Sequence, residues 1–154
     1  MSAASTTDPV VRELGRDDLD ALLEAYRDLH PDDEPLPPKA ELEALWKGIC
    51  DDSRLLYMGA FEGARLVATC TAAIVPNLTR GARPYAVIEN VWTHPARRRH
   101  GLGSAVLSEL LDRCWATGCY KAMLLSGSHR DAAHEFYEHN GFDKRAKQGF
   151  VIRK

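Results

Sequence analysis

The sequence lacks the long apolar runs that cross a membrane. No window of its 154 residues approaches the roughly 18 consecutive apolar residues that a spanning helix needs. The opening residues, MSAASTTDP, have neither the basic start nor the apolar centre of a secretory signal. These absences predict a soluble cytoplasmic protein without a membrane partner, and the length is enough for one compact domain.

A strong excess of charge of one sign is also missing. Lysine and arginine total 20 against 22 aspartate and glutamate residues, which gives a formal net charge of −2. Nucleic acids and anionic lipids select proteins with a large positive excess, so the balance predicts no nucleic-acid partner for the molecule as a whole. Any basic cluster must therefore serve a local purpose.

Paired cysteines and metal-binding spacings are absent as well. The four cysteines are scattered without a C-x-x-C pair, which favours free thiols in a reducing compartment. The segment HEFYEH does not have the H-E-x-x-H spacing of zinc proteases, because Glu138 stands where the second histidine is needed. The sequence therefore predicts no metal site.

Strand-like and helix-like segments alternate along what remains. Residues 1–8 are predicted to form a flexible tail and residues 9–154 a single domain. Period-two and continuous apolar runs predict strands, with a glycine turn at Glu62-Gly63-Ala64 joining two of them. The strand segments are VVREL, LLYMGAF, RLVATCTAAIV, YAVIENVWT, KAMLLS and a last pair around Phe142–Lys144 and Phe150–Ile152.

Four segments have the apolar spacing of amphipathic helices. Ser128 together with Asp131 has the spacing of an N-terminal cap for the last of them. The proline-rich acidic segment HPDDEPLPP separates the first two, either as a solvated connector or as a loop that contacts a substrate. The helices are expected from Asp17, over Lys39–Cys50, from Leu102 to a stop at Gly118, and from Ser128 to a stop at Asn140-Gly141. The order predicts an α/β fold with a mixed sheet.

The segment RRRHGLGSAVL, residues 97–107, combines basic side chains with two glycines at the start of a predicted helix. Free backbone amides and the positive end of the helix dipole favour phosphate binding at such a position. A Walker loop would need Lys after Gly103, and a dinucleotide-binding loop would need Gly in place of Val106. A solvated basic loop before a helix is the alternative.

Two motifs together resemble the GNAT superfamily of acetyl-CoA-dependent N-acetyltransferases. Arg98-x-x-Gly101-x-Gly103 matches the Q/R-x-x-G-x-G/A signature of that family, and it follows VWTHPARR. Downstream, AAHEFYEHNGF is similar to the second hallmark, a helix with a tyrosine before a glycine–aromatic pair. The resemblance implies a single-domain GNAT-like fold, with a mixed, mostly antiparallel central sheet flanked by helices and strands splayed at the cofactor site.

The resemblance also implies how acetyl-CoA is held. The backbone of Val91, Trp92 and Thr93 would hold the pantetheine arm, and the amides of the basic loop would wrap the pyrophosphate. Arg98 would fix the loop and neutralise charge, whereas Arg97 is expected to be solvated. The cofactor-binding residues implied in the loop are Arg98, Arg99, His100, Gly101, Leu102, Gly103 and Ser104.

Two catalytic residues follow from the same resemblance. Tyr137 matches the tyrosine that returns a proton to the CoA thiolate. Glu89 lies where several relatives place a general base that works directly or through water, and its apolar neighbours would raise its pKa; the alternative is a glutamate on an exposed strand face. Arg130 stands where many relatives have asparagine and could meet a CoA phosphate. His134 could lie near the acceptor amine.

The sequence as a whole therefore predicts an N-acetyltransferase that moves the acetyl group of acetyl-CoA directly onto a primary amine. The segments IEN and NGFDKRAKQGFVIRK are similar to small-molecule acetylases of the glucosamine-phosphate or aminoalkylphosphonate kind. One alternative is a protein N-terminal or lysine acetyltransferase. Another is a non-catalytic acyl-CoA-binding regulatory module. The expected partners are a small-molecule amine acceptor and, as in many relatives, a second copy in a homodimer.

Overall fold

Residues 8–154 are described by a computed structural model, in which a mixed sheet is flanked by helices. Apart from Asp8, the predicted tail lies outside these residues. The strands are β1 (Val10–Glu13), β2 (Leu55–Glu62), β3 (Arg65–Val75), β4 (Tyr85–Thr93) and β5 (Ala122–Leu124); the helices are α1 (Leu19–Leu29), α2 (Lys39–Asp51), α3 (Thr79–Ala82), α4 (Leu102–Ala116) and α5 (Asp131–His139).

The strands lie in the order β1-β2-β3-β4-β5, and their directions confirm the predicted mixed sheet. Neighbours from β1 to β4 are antiparallel, whereas β4 and β5 are parallel. A parallel pair needs a crossover connection, and α4 provides it. The connection places the start of α4 beside the end of β4, which is where the basic loop lies.

Each face of the sheet has its own apolar core. On one face α4 contributes Val106, Leu107 and Leu110, which are almost completely buried against β2, β3 and β4. On the other face the core is built by α1 and α2, with Leu22 and Trp46 among its members. The sheet is therefore the middle layer of three.

Several predicted boundaries agree with the structure. The runs RLVATCTAAIV and YAVIENVWT coincide with β3 and β4, and Gly63 in the turn between β2 and β3 has a φ of +60°. Gly118 and Gly141 follow α4 and α5 with φ values of +87° and +90°, as expected of glycines that stop helices. No helix among residues 8–154 is long and apolar enough to cross a membrane.

Other predictions about local structure are wrong. The last strand pair is absent: residues 142–154 contain no strand, because the segment does not pair with the outer edge of β5 even though Gly149 lies close to Leu125. Ser128 does not cap α5, because the helix begins after Arg130, whose side chain makes no capping bond. β5 is short and only half-buried, since it has a neighbour on one side alone. The single turn α3 was not predicted, and three of its residues have positive φ.

Candidate active site

β4 has an open edge over its second half. Its parallel pairing with β5 begins at Ala86 and stops at the pair Ile88 and Leu124, although β4 continues to Thr93. From Glu89 to Thr93 the backbone on that side has no partner strand among the described residues. Such an edge presents N–H and C=O groups to any extended ligand that carries amides. β4 and β5 therefore diverge, as expected from the splayed strands that the sequence resemblance implies.

A β-bulge lies at the point where the strands diverge. Thr71 of β3 pairs with Glu89 and Thr69 pairs with Trp92, so two residues of β4, Asn90 and Val91, oppose a single residue of β3. Asn90 has a φ of +52°, a conformation that asparagine tolerates better than most residues. The bulge was not predicted, although an asparagine inside an apolar strand is the signal that could have revealed it.

The bulge is bonded to β3 on one side and lies against α1 on one face of the sheet. The Thr71 hydroxyl donates to the carbonyl of Glu89 at 3.0 Å. The hydroxyl of Tyr26, on α1, is buried beside the Asn90 side chain, and this burial raises the pKa of Tyr26. The unusual backbone of β4 is therefore supported by neighbouring elements.

The bulge also decides which faces the next side chains reach. Ile88 is buried in the α4 core before the bulge, and Val91 packs against the same core after it. Trp92 points to the other face, where its indole N–H donates to an Oδ of Asp28 on α1 at 2.6 Å. Because the Trp92 side chain packs on the α1 face, only its backbone N–H and C=O groups are available at the open edge.

The loop after β4 is shaped by its own hydrogen bonds. Arg98 donates from Nε to the carbonyl of Thr93 at 3.3 Å, and Nδ1 of His100 lies 2.8 Å from the carbonyl of Arg98. Arg99 and Gly101 both have positive φ, at +63° and +76°. These left-handed turns bring the chain round to α4, whose first turn has no side-chain cap. Its amides are therefore open to an anion.

The basic side chains of this loop differ in their partners. Arg98, Arg99 and His100 are exposed and form no salt bridge within residues 8–154. Arg97 is half-buried and pairs with Glu62 at the end of β2. The expectation that Arg97 is solvated is wrong, because the hairpin that carries Glu62 lies next to the loop. Two guanidinium groups thus remain available to a phosphate.

The structure requires glycine at positions 101 and 103 of the signature for different reasons. A Cβ on Gly101 would meet nothing within 4 Å, but its φ lies in the left-handed region. A Cβ on Gly103 would lie 3.0 Å from Oγ1 of Thr93 and 3.4 Å from the ring of Phe136. Gly103 therefore lets α4 approach β4 and α5 closely.

The remaining loop residues join elements together. Ser104 accepts a hydrogen bond from Nδ2 of Asn140 at 3.1 Å, which connects the start of α4 to the end of α5. Leu102 is buried in the α4 core, so only its backbone faces the loop. Both residues thus stabilise the position of the first turn of α4.

Tyr137 lies on α5 beside the open edge of β4. Its ring is half-buried and makes edge-to-face contacts with Phe136 and Phe142, at centroid distances of 5.3 and 5.9 Å. Burial raises the pKa of Tyr137, the charge of Arg130 opposes this rise, and the charge of Glu89 adds to it. The structure therefore brings Tyr137, Arg130 and Glu89 into electrostatic reach of one another.

Glu89 is exposed, which agrees with the alternative of an exposed strand face and not with enclosure by apolar neighbours. It is the first residue of β4 beyond the pairing with β5, so water reaches its carboxylate. His134 lies in the first half of α5, where its Nε2 is 2.9 Å from the carbonyl of Gly127. Among residues 8–154 no three histidine, cysteine, aspartate or glutamate side chains are grouped as metal ligands would be.

Two cavities lie on the α1 and α2 face. The smaller, of about 230 Å³, adjoins the end of β4 and is lined by Glu24, Asp28, Trp92 and His94 among others. The larger, of about 420 Å³, lies between α1 and α2 and is lined by none of the residues predicted from sequence to bind or react. The smaller cavity is therefore the one that shares a strand with the open edge.

Comparison with known proteins places this geometry among acetyltransferases. Residues 19–142 match the model of the "Acetyltransferase (GNAT) family". A putative acetyltransferase from Agrobacterium tumefaciens str. C58 is 44% identical, with 94% of this chain and 99% of that chain covered and a TM-score of 0.87. A Trypanosoma brucei acetyltransferase is 28% identical, with 95% and 100% covered and a TM-score of 0.80.

A curated relative is also similar in sequence. The glucosamine 6-phosphate N-acetyltransferase of Trypanosoma brucei brucei is 36% identical over 84 residues, which cover 54% of this chain and 55% of the relative. The chain thus spans about half the length of the curated relative that it matches.

Proposed function

Because the chain belongs to the acetyltransferase (GNAT) family, we propose that it transfers the acetyl group of acetyl-CoA directly to a primary amine of a small molecule. The observation that carries this proposal is the open edge of β4 between Glu89 and Thr93, with the exposed Arg98 and Arg99 beyond one end and Tyr137 beside it. Five strand residues extend over roughly 16 Å. That length suits an extended arm between a reactive thioester and a pyrophosphate.

Each part of the cofactor has candidate partners along this path. The backbone of Val91, Trp92 and Thr93 is available to the amides of the pantetheine arm. The pyrophosphate would be held by the amides from Arg98 to Ser104, with the Arg98 and Arg99 guanidinium groups as charge-assisted donors. Support comes from the free first turn of α4 and from the absence of salt bridges at these two arginines within the described residues.

The chemistry requires two protons to leave the ammonium nitrogen and one to reach the thiolate. The amine nitrogen attacks the thioester carbonyl once its first proton has passed to Glu89, directly or through water. Backbone N–H groups of the open edge stabilise the oxyanion, the C–S bond breaks, and Tyr137 donates its proton to the thiolate. The second proton, which the nitrogen loses as the amide forms, restores the Tyr137 hydroxyl through water. The raised pKa of Tyr137 keeps its hydroxyl protonated at neutral pH. Positioning of the amine against the thioester supplies a large part of the acceleration.

A small acceptor is favoured by the similarity to a relative named for glucosamine 6-phosphate. The pocket that adjoins β4 on the α1 face, about 230 Å³, suits a molecule of that size better than a folded protein segment. We propose that the protein acts as a homodimer, without a metal ion.

The test is release of free CoA thiol from acetyl-CoA with a panel of amines. The panel contains glucosamine 6-phosphate, unphosphorylated amino sugars, polyamines, and peptides with a free N-terminus or lysine. Turnover of a small amine above the rate of acetyl-CoA hydrolysis is the expected result. Faster turnover of a peptide would replace the small-molecule acceptor by a protein. Tight CoA binding without turnover of any amine would instead indicate a regulatory acyl-CoA-binding module.

A further inference from the structure

The hairpin of β2 and β3 lies beside the start of the basic loop. Glu62 and Arg65 form the last pair of its register, on either side of the turn at Gly63. Both side chains are directed to the segment that follows β4. Glu62 forms a salt bridge with Arg97, and Nη2 of Arg65 lies 2.7 Å from Nε2 of His94. One pair of hairpin residues therefore contacts both ends of one short segment.

This segment is a single 3₁₀ turn, Pro95–Arg97, which leads from β4 into the basic loop. Nδ1 of His94 lies 3.1 Å from the amide nitrogen two residues on, and the N–H of Arg97 donates to the carbonyl of His94 at 2.8 Å. A neutral imidazole accepts at only one ring nitrogen, so His94 bonds either to the turn or to Arg65. The salt bridge between Glu62 and Arg97 is therefore the stronger attachment of the turn to the hairpin.

The Glu62–Arg97 salt bridge is partly shielded from water. The side chain of Glu62 is 21% exposed and that of Arg97 is 30% exposed. Nε of Arg97 is buried without a hydrogen-bond partner among residues 8–154. Removal of Glu62 would leave a partly buried guanidinium without its counter-charge, which costs more than the loss of an exposed ion pair. The salt bridge therefore holds the turn in one position.

The turn is one of two fixed points that flank the amides of the basic loop. The other is the first turn of α4, where Ser104 is bonded to Asn140 of α5. Between them, residues 98–101 are exposed, and Arg99 and Gly101 have positive φ. A site made of backbone amides binds an anion well only when their directions are fixed beforehand. The shape of such a site therefore depends on both fixed points.

On the basis of the proposed function, we propose that Glu62 and Arg97 are positioning residues for the cofactor. Their salt bridge attaches the turn Pro95–Arg97 to the hairpin and thereby fixes the amides that bind the pyrophosphate of acetyl-CoA. Neither side chain touches the cofactor, because the guanidinium of Arg97 is bonded to Glu62. The hairpin, which contributes no residue to the pyrophosphate site, thus controls its geometry.

The sign of the change in affinity tests the proposal, because positioning and charge act in opposite directions. Glu62→Ala removes a negative charge near a site for an anion, so electrostatics alone predicts tighter binding of acetyl-CoA. Loss of the attachment predicts weaker binding, and we expect the dissociation constant from calorimetry to rise by about 10-fold. The matched control is Glu109→Ala, which removes a carboxylate from an exposed salt bridge on α4 and should leave the dissociation constant unchanged. Unchanged or tighter binding in Glu62→Ala would overturn the proposal.

Two further measurements separate positioning from a general loss of structure. Glu62→Gln keeps an acceptor for Arg97 and should recover part of the affinity lost in Glu62→Ala, whereas equal affinities would contradict the proposal. S-acetylpantetheine has the thioester and the arm but no pyrophosphate. With this donor Glu62→Ala should keep wild-type kcat/KM, although its KM for acetyl-CoA rises at nearly constant kcat. Equal losses with the two donors would show that the salt bridge acts on the whole fold and would overturn the proposal.

The wild-type protein separates this inference from the proposed function. Failure of the wild type to bind acetyl-CoA would overturn both. Binding by the wild type that Glu62→Ala leaves unchanged would overturn the positioning role alone.

Discussion

Tyr137 experiences two charges of opposite sign while its ring is half-buried. Burial raises the pKa of its phenol, Glu89 acts in the same direction and Arg130 acts against it. A phenol in this position stays protonated at neutral pH and can donate when a thiolate forms beside it. The proposed role of Tyr137 as the acid rests on its resemblance to the family tyrosine.

Replacement of Tyr137 by phenylalanine keeps the ring and removes the proton. We expect kcat to fall by roughly 100-fold, the lower range for loss of a general acid, with little change in the KM for acetyl-CoA. The matched control is Tyr85→Phe at the other end of β4, which should keep wild-type kcat. A Tyr137→Phe enzyme with unchanged kcat, while chemistry is rate-limiting, would show that another group protonates the thiolate.

Arg130 offers a test of the electrostatic arrangement that needs no substrate. Its positive charge favours the phenolate form of Tyr137, so Arg130→Gln should raise the pKa of Tyr137 above the wild-type value. Titration of ¹³C-labelled tyrosine by NMR measures this pKa directly. Arg113→Gln, which changes an arginine paired with Glu13 and Glu109 on α4, serves as the control and should leave it unchanged. An unchanged or lower pKa in Arg130→Gln would place Arg130 out of reach.

At the level of elements, the strands in the middle of the sheet were the most predictable. β3 is buried along most of its length and β4 at Ala86, Ile88 and Trp92, and the apolar run of each strand begins and ends where the strand does. The end of the chain was predicted wrongly because residues 150–152 have strand-forming side chains but do not pair with the outer edge of β5. Propensity describes a segment alone, whereas a strand also requires a neighbour.

The candidate site was predictable where it depends on a local motif. The glycines and arginines of the basic loop were found because their spacing is fixed by the chain over a few residues. The bulge at Asn90 escaped prediction, since it is defined by the register between β3 and β4 and not by β4 alone. The sequence left the exposure of Glu89 open for a similar reason: it depends on where β5 diverges.

Gly103 shows how closely α4, β4 and α5 approach one another. Gly103→Val should destabilise the fold by about 1–3 kcal/mol, because its side chain would overlap Thr93 and press on Phe136. Gly48→Ala is the control within another helix: a Cβ there meets nothing within 4 Å, and the change should stabilise by about 0.5–1 kcal/mol. Urea denaturation compares the two.

The close approach of Gly103 to Thr93 means that substitutions at Gly103 change the free energy of unfolding as well as any affinity for acetyl-CoA. In Gly103→Ala, removal of the Thr93 side chain by Thr93→Ala should recover part of the lost stability, because the 3.0 Å approach is to Oγ1. Additive losses in the double variant would mean that the helix shifts instead of meeting Thr93. A loss of acetyl-CoA affinity in a Gly103 variant must therefore be judged against its free energy of unfolding.

Over the whole molecule, charge is almost balanced but unevenly placed. The chain has a formal net charge of −2, yet Arg98 and Arg99 project from one end of the sheet without ion pairs in the described part of the chain. The first turn of α4 adds its free amides at the same place. The molecule can therefore attract a polyanion locally without a general affinity for polyanions.

Binding of acetyl-CoA should stabilise the whole fold. At a concentration 100 times its dissociation constant, a ligand adds about 2.7 kcal/mol, which corresponds to an increase in Tm of roughly 5–10 °C for a chain of this size. Arg98→Ala/Arg99→Ala should reduce the shift at the same concentration, and added salt should weaken it in the wild type. Arg80→Ala/Arg83→Ala, near the opposite end of β4, is the control. Equal shifts in both double variants would contradict the pyrophosphate assignment.

The bulge at Asn90 interrupts the alternation of β4, so that the side chains after it lie on the opposite faces from those that strict alternation would give. If residues 88–93 alternated strictly, with Asn90 present but no bulge, Trp92 would lie on the α4 side and Thr93 on the α1 side, so Asp28 would lose its indole partner and Gly103 would face no hydroxyl. A chain that kept Asn90 in an ordinary extended conformation would thus have the same side chains and the wrong assembly of helices around them. One residue therefore couples the packing of α1 on one face of the sheet to that of α4 on the other.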